Sequence, residues 1–220
     1  MDILLNDIEV RILGCLIEKE ITTPDYYPLT LNALTNACNQ KSNRSPVVSY
    51  EDTTVVRGLD TLREKGLAEK IYKADSRVPK YQHSFPQKFN LPSDYVAVLC
   101  ELMLRGPQTV GEIRNRADRM YNFEGLQEVE EILNRLMEKE PPLVVKLPRQ
   151  IGRKEPRYAH LLSGEPETRE EEPALTEETA TIRVRAENER IAKLEDEFTA
   201  LRREFDKLKE EFISLKSQLE

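Results

Sequence analysis

A five-residue string occurs twice in this chain and constrains its fold more than any other feature. PKYQH at residues 79–83 returns 77 residues later as PRYAH at residues 156–160. Each copy follows an amphipathic run that ends in a lysine. Self-similarity of this kind indicates two copies of one supersecondary unit. The sequence therefore predicts two related units, residues 1–88 and 89–163, followed by a C-terminal appendage.

The hydrophobic pattern of the first unit predicts three helices and then a pair of strands. Asn6 and Glu9 form a capping box at the start of the first helix. Ser49 and Asp52 are expected to cap the third helix, and Gly66 is expected to end it in the left-handed conformation. The expected helices cover residues 7–20, 30–39 and 49–65, and the expected strands cover residues 67–72 and 78–85. Three helices followed by a hairpin is the winged-helix arrangement, a relative of the helix-turn-helix.

The outward face of the third helix decides whether the first unit can contact DNA. Its N-terminal half carries hydroxyl groups and one arginine there, with no carboxylate among them. In helix-turn-helix proteins this half meets base edges, while basic flanks hold phosphates. The predicted DNA-contacting residues are Tyr50, Thr53, Thr54 and Arg57 on the helix, with Arg44, Lys73, Arg77 and Lys80 beside it. The same pattern also suits a solvated helix in a unit that binds protein.

The second unit repeats the plan but differs in charge. Thr109 and Glu112 form another capping box, and a third helix over residues 125–139 is expected to bury Leu126. The outward face of that helix is acidic, which argues against contact with a phosphate backbone. Its hairpin is basic and could hold phosphates or an acidic protein surface. The candidate residues on this hairpin are Arg149, Arg153, Lys154 and Arg157.

The C-terminal appendage consists of an acidic linker and a heptad repeat. Residues 164–175 are rich in glutamate and proline, which is typical of a flexible linker. Residues 176–220 predict a coiled-coil helix, whose seam is formed by Ile191, Leu194, Phe198, Leu201, Phe205, Leu208, Phe212, Leu215 and Leu219. The flanking charges favour a parallel homodimer, and the bulky phenylalanines leave a trimer open. A seam that packs on the rest of the chain or on another protein is the alternative.

Composition excludes several classes of function. The first 163 residues carry equal numbers of basic and acidic side chains, so the net charge of −7 falls on the appendage. DNA binding would therefore depend on local basic patches. The two histidines and three separated cysteines predict no metal site, and no nucleotide-binding or hydrolase motif occurs. We expect a cytoplasmic protein without cofactor, catalytic residues or membrane span.

Several strings resemble the bacterial YceH-like family of uncharacterised proteins. They are ALTNACNQKSNR at residues 33–44 with Pro46 and Val47, RGPQT at residues 105–109 with Gly111 and Glu112, and LPR at residues 147–149 with Gly152 and Arg153. The resemblance covers about residues 5–163. It implies tandem winged-helix domains in a bacterial cytoplasmic protein, and it implies no activity and no ligand residues.

Together these patterns predict a mainly α-helical α+β chain of two tandem winged-helix domains with a C-terminal coiled coil. The leading functional hypothesis is a non-enzymatic, self-associating protein that binds double-stranded DNA in a regulatory role. The alternative hypothesis is a scaffold whose winged helices bind other proteins without binding DNA.

Overall fold

A computed structural model describes residues 3–72, 78–149 and 155–166 as helices joined by short antiparallel strands. These residues belong to one compact unit, Met1–Pro166, which we call the body. The predicted heptad residues 191–219 lie outside the described residues, as do all of the linker after Pro166 and four candidate basic residues: Lys73, Arg77, Arg153 and Lys154. The mixed class, mainly helical with small antiparallel sheets, is confirmed.

The first repeat contains three helices and a three-stranded sheet. Helix α1 spans Asp7–Thr22, strand β1 Leu29–Thr30, helix α2 Leu31–Cys38, helix α3 Asp52–Glu64, strand β2 Ala68–Ile71 and strand β3 Lys80–His83. The strand order is β1-β3-β2, and both pairs are antiparallel. The capping box at Asn6 is confirmed, since its side chain accepts from the backbone N–H of Glu9 and the Glu9 carboxylate accepts from that of Asn6. Gly66 has φ +69°, which also confirms its predicted role.

The second repeat has the same order of helices with a two-stranded sheet. After the short helix α4 (Phe85–Phe89) come α5 (Ser93–Arg105), α6 (Val110–Ala117), α7 (Leu126–Glu138) and strands β4 (Val144–Lys146) and β5 (Tyr158–His160). Strands β4 and β5 are antiparallel. Tyr81 and Tyr158 are both buried, so the repeated string forms the returning strand of each hairpin with its tyrosine in the core. The Thr109–Glu112 capping box is confirmed as well.

Helix α1 joins the two repeats because it packs against both α3 and α5. The approach is close at two glycines. A Cβ on Gly14 would lie 2.8 Å from Cδ2 of Leu104 in α5, and a Cβ on Gly58 in α3 would lie 2.5 Å from Cδ1 of Ile12 in α1. Glycine lets neighbouring backbones approach closely, so the helices of both repeats enclose one continuous core.

The first and last segments of the body meet. The backbone N–H of Leu5 donates to the carbonyl of Leu162 at 2.8 Å. The ammonium of Lys65, just after α3, donates to the carbonyl of Leu4 at 2.8 Å and to the Glu9 carboxylate at 2.7 Å. The chain therefore leaves the body near the C-terminal end of α3.

The structure corrects two local predictions. Helix α3 starts at Asp52 with Glu51 as its N-cap and without a side-chain capping bond, so capping by Ser49 and Asp52 is wrong. Leu126 was expected in the core, but 52% of its surface is exposed because it occupies the first position of α7, beyond the packed part of that helix. The strand β1 and the helix α4 were not predicted. Within the described ranges, no helix is long and apolar enough to cross a membrane.

Candidate nucleic-acid interface

The start of α3 is fixed by hydrogen bonds from α2 and the residue after it. The Asn39 side chain accepts from the backbone N–H of Tyr50 at 2.7 Å and donates to the Tyr50 carbonyl at 2.8 Å. The Thr35 hydroxyl donates to the Asp52 carboxylate at 2.6 Å. A two-point backbone clamp and a charge-assisted bond hold the entry to α3 in one position relative to α2. The outward face of α3 is thus presented by a fixed backbone.

The predicted contact residues on α3 divide into two exposed and two half-buried side chains. Thr53 and Arg57 are exposed, whereas Thr54 and Tyr50 are half-buried. Tyr50 packs against the core, and burial raises the pKa of its hydroxyl, which therefore stays neutral. Across residues 3–72, 78–149 and 155–166, no side chain pairs with the Arg57 guanidinium. The Arg57 guanidinium is therefore accessible to an external anion.

Two carboxylates stand at the N-terminus of α3. Glu51 and Asp52 are both exposed, and the Asp52 carboxylate accepts a hydrogen bond from Thr35. Acidic residues in the first turn are favourable for the helix dipole, but they repel a phosphate placed at the helix end. An approaching duplex would therefore meet the side of α3, at Thr53 and Arg57, instead of its tip.

The hairpin beside α3 contributes one predicted residue and two that the sequence analysis missed. Lys80 is half-buried in β3, opposite Ile71 of β2. Lys70 and Tyr72 are exposed, and the Lys70 ammonium lies 5.4 Å from the centre of the Tyr72 ring. A basic residue two positions from an aromatic one on a strand was the available signal, since side chains at that spacing share a face.

Arg44 was predicted on the DNA face, and the structure contradicts that placement. Its side chain is fully buried and forms a bidentate ion pair with Glu18 of α1, with N–O distances of 3.0 and 2.5 Å. It also donates to the carbonyls of Ala37 and Asn43. A guanidinium enclosed in this way cannot reach a phosphate, so Arg44 is removed from the predicted interface.

The Arg44–Glu18 pair belongs to a buried charge cluster between the repeats. Arg119 contacts Glu18 and lies 3.6 Å from the second buried carboxylate, Glu101 of α5, which also lies 3.0 Å from Nε of Arg105. Burial alone would raise the pKa of Glu18, but hydrogen bonds and charge from Arg44, aided by Arg119, leave that pKa lowered. Burial dominates for Glu101, whose pKa is raised. The cluster thus holds one carboxylate that favours its charged form and one that disfavours it.

In the second repeat, the solvent-exposed face of α7 is acidic, and Arg157 is engaged in contacts within the protein. The exposed residues of α7 and its entry are mostly acidic or amide side chains, as predicted: Glu124, Gln127, Glu131, Asn134 and Glu138. Arg149 is exposed after β4. Arg157 is half-buried, donates to the carbonyl of Pro107 at 3.1 Å and lies 3.9 Å from the Glu112 carboxylate. Of the predicted hairpin cations in this repeat that the structure describes, Arg149 is the more accessible.

Both histidine side chains are enclosed by the protein. Nδ1 of His83 accepts from the backbone N–H of Phe85 at 3.3 Å, and its Nε2 lies 2.9 Å from the Glu20 carboxylate. Burial lowers the pKa of His160 to about 4. Among the residues that the structure describes, no group of three histidine, cysteine, aspartate or glutamate side chains could hold a metal ion.

Comparison with known proteins places the chain in a family. Residues 5–153 match the family model described as "Protein of unknown function, DUF480". A UPF0502 protein of Geotalea uraniireducens is 58% identical over 185 residues, which cover 84% of each chain. UPF0502 proteins of Geobacter sulfurreducens and Geobacter metallireducens are 57% and 58% identical over the same length and coverage. On the strength of this match, the chain belongs to the DUF480/UPF0502 family of bacterial proteins.

Proposed function

We propose that this chain is a non-enzymatic, cytoplasmic DNA-binding protein with a regulatory role, built from two tandem winged-helix units. In the proposal, the side of α3 contacts duplex DNA through Thr53 and Arg57. The observation that carries it is the exposed Arg57 guanidinium, which has no acidic partner among the described residues and stands on a helix whose entry is held by Asn39 and Thr35. An arginine fork can bind a phosphate or a guanine edge through two parallel hydrogen bonds.

The hairpin of the first repeat supports the same contact. Lys70 and Lys80 lie on β2 and β3, which follow α3 directly in the chain. A hairpin beside a groove-facing helix is the part of a winged helix that touches the DNA backbone. Glu69 is the acidic residue on these two strands, and it accepts a hydrogen bond from Gln82 at 2.9 Å. Lys70 lies opposite Tyr81 and Lys80 lies opposite Ile71, so the two lysines stand on opposite faces of the hairpin. At most one of them would add a phosphate contact to that of Arg57.

Self-association through the predicted coiled coil would raise the avidity of this interface. The described chain ends at Pro166, shortly after Leu162 binds Leu5 near the C-terminal end of α3. The 13 residues of α3 span roughly 20 Å at 1.5 Å per residue. Thr53 in the first turn of α3 is therefore well separated from the point where the chain leaves the body.

A salt-titrated binding assay with random-sequence duplex tests the proposal. Binding at low ionic strength that falls steeply with salt is expected for phosphate contacts. Arg57→Ala should weaken the binding, and Arg63→Ala is the matched control, because Arg63 lies on the C-terminal half of the same helix and pairs with Asp60 at 3.0 Å. Equal affinity of wild type and Arg57→Ala at low salt would remove the side of α3 from the interface.

A protein-binding scaffold is the second candidate, and the surface of α7 favours it. Leu126 exposes 52% of its surface beside Glu124, Gln127 and Glu130, which are exposed as well. The acidic, exposed face of α7 is complementary to a basic protein surface and would repel a phosphate backbone. The same assay separates the two candidates, since a complete lack of duplex binding at low salt would favour the scaffold.

A further inference from the structure

Three arginines at the junction of the repeats have guanidinium groups that are only partly used inside the protein. Arg105 lies at the end of α5, Arg116 in α6 and Arg119 just after α6. Their side chains are 19%, 36% and 34% exposed, respectively. Each is held by a neighbour on its inner side: Arg105 by Asn43 and Glu101, Arg116 by Gln108 and Glu112, and Arg119 by Glu18. Their positions are therefore fixed before any ligand arrives.

Each of these arginines has guanidinium nitrogens for which the described residues provide no hydrogen-bond partner. Within the described part of the chain, no group pairs with Nε and Nη1 of Arg119, Nη1 of Arg105 or Nε of Arg116. Nη1 of Arg105 and Nε of Arg116 are open to solvent, and Arg119 is an exposed residue. The arrangement offers four N–H-bearing nitrogens from fixed cations to an outside acceptor.

The charge balance at the surface favours an anion. The carboxylates of Glu18 and Glu101 lie beneath the arginines and are completely buried. Burial also raises the pKa of Glu101. Two carboxylates reach the surface beside these arginines: Glu112, half-buried between Arg116 and Arg157, and the exposed Asp118. An external group meets mainly the outer edges of guanidinium groups.

We propose that Arg105, Arg116 and Arg119 form a phosphodiester-binding site, the arginine patch, which holds the backbone of the same duplex that α3 contacts. The proposal rests on the proposed function and extends it to the second repeat. Arginine is suited to this role because its planar fork matches the geometry of a phosphate. Because the buried carboxylates already hold the arginine side chains in place, less side-chain entropy is lost when a ligand binds.

A single loop connects the arginine patch to the start of α3. Asn43 accepts a hydrogen bond from Arg105, and the backbone N–H of the exposed Ser45 donates to the carbonyl of Leu104 at 3.0 Å. Tyr50, at the other end of the loop, is held by Asn39. The chain segment from Asn43 to Tyr50 is at most about 25 Å long when fully extended. This length corresponds to roughly 7 base pairs of duplex. The separation of the two ends of this loop is therefore within the length of an ordinary duplex.

The test measures duplex affinity against salt for the full chain and three variants. Arg116→Ala removes one patch arginine whose partners, Gln108 and Glu112, also have other contacts. Asn115→Glu adds a negative charge at an exposed position of α6 without removing any described side-chain contact. Arg135→Ala is the matched control, because Arg135 is an exposed arginine of the same repeat on the acidic helix α7.

Loss of one phosphate contact should lower the slope of log affinity against log salt by about 1, and the affinity near 0.1 M salt by about eightfold. We expect this for Arg116→Ala, a loss of similar size for Asn115→Glu, and no change for Arg135→Ala. If wild type binds duplex and both patch variants keep its slope and affinity, the arginine patch is refuted while the α3 interface stands. If wild type does not bind at low salt, the proposed function and the patch both fail.

Discussion

Replacing Arg44 with alanine should destabilise the body strongly, because its guanidinium is a buried partner of Glu18. Among the residues that the structure describes, the substitution leaves the fully buried Glu18 carboxylate with Arg119 and the more distant Lys19, at 3.5 Å, as its cationic partners. It also removes the donors to the carbonyls of Ala37 and Asn43. Breaking a buried ion pair by removing one member costs about 3–5 kcal/mol. For a domain of this size, that corresponds to a fall in Tm of roughly 6–20 °C.

Urea denaturation followed by circular dichroism measures the effect, with two companions to Arg44→Ala. Arg57→Ala is the matched exposed control and should change the free energy of unfolding by less than about 0.5 kcal/mol. The double variant Glu18→Met/Arg44→Met should recover much of the lost stability, since a buried ion pair can often be replaced by apolar side chains. An unfolding midpoint of Arg44→Ala equal to that of wild type would refute the buried role of Arg44.

Three further predictions concern buried charge, helix packing and the appendage. At neutral pH, Glu18→Gln should lower the free energy of unfolding, because Arg44 lowers the pKa of Glu18 on folding against the opposing effect of burial. Glu101→Gln should raise the free energy of unfolding, because burial raises the pKa of Glu101 on folding. Relative to neutral glutamine, a lowered carboxyl pKa adds stability above the unfolded pKa, and a raised one costs stability there. In urea titrations the Glu101→Gln difference should therefore shrink as the pH falls toward about 4, whereas the Glu18→Gln difference should shrink below about 4, as the pH falls through the lowered pKa. Differences that stay constant with pH would contradict this. Gly14→Ala should destabilise the body by about 1–3 kcal/mol through the clash with Leu104, reduced by up to about 1 kcal/mol of helix propensity, and a raised unfolding midpoint would count against it. Phe205→Asp should dissociate the predicted oligomer, and an unchanged mass by light scattering would exclude self-association through that seam.

Features that depend on neighbours in sequence could be predicted. A capping box spans three residues, so Asn6 with Glu9 and Thr109 with Glu112 are recognisable without knowledge of the fold. Gly66 follows the same logic, because only the local backbone decides its positive φ. The exposure of Arg57 followed from helical periodicity, which assigns residues to faces.

Features that depend on distant partners could not be predicted from these patterns. The strand β1 has two residues and exists because Leu29 and Thr30 lie opposite Tyr81 and Lys80. Arg44 is charged and follows a polar loop, which favours exposure, yet it is buried because its partner Glu18 lies 26 residues earlier. Periodicity also does not show where along a helix its packing ends.

The hydrogen bond between Leu5 and Leu162 brings the first and last segments of the body close together. Proteins whose ends lie together tolerate circular permutation when the new ends open at an exposed turn. The exposed turn at Asp25, after α1, offers such a position. A permuted chain that joins the old ends of the body with a short linker would begin and end at Asp25, and its core should stay intact.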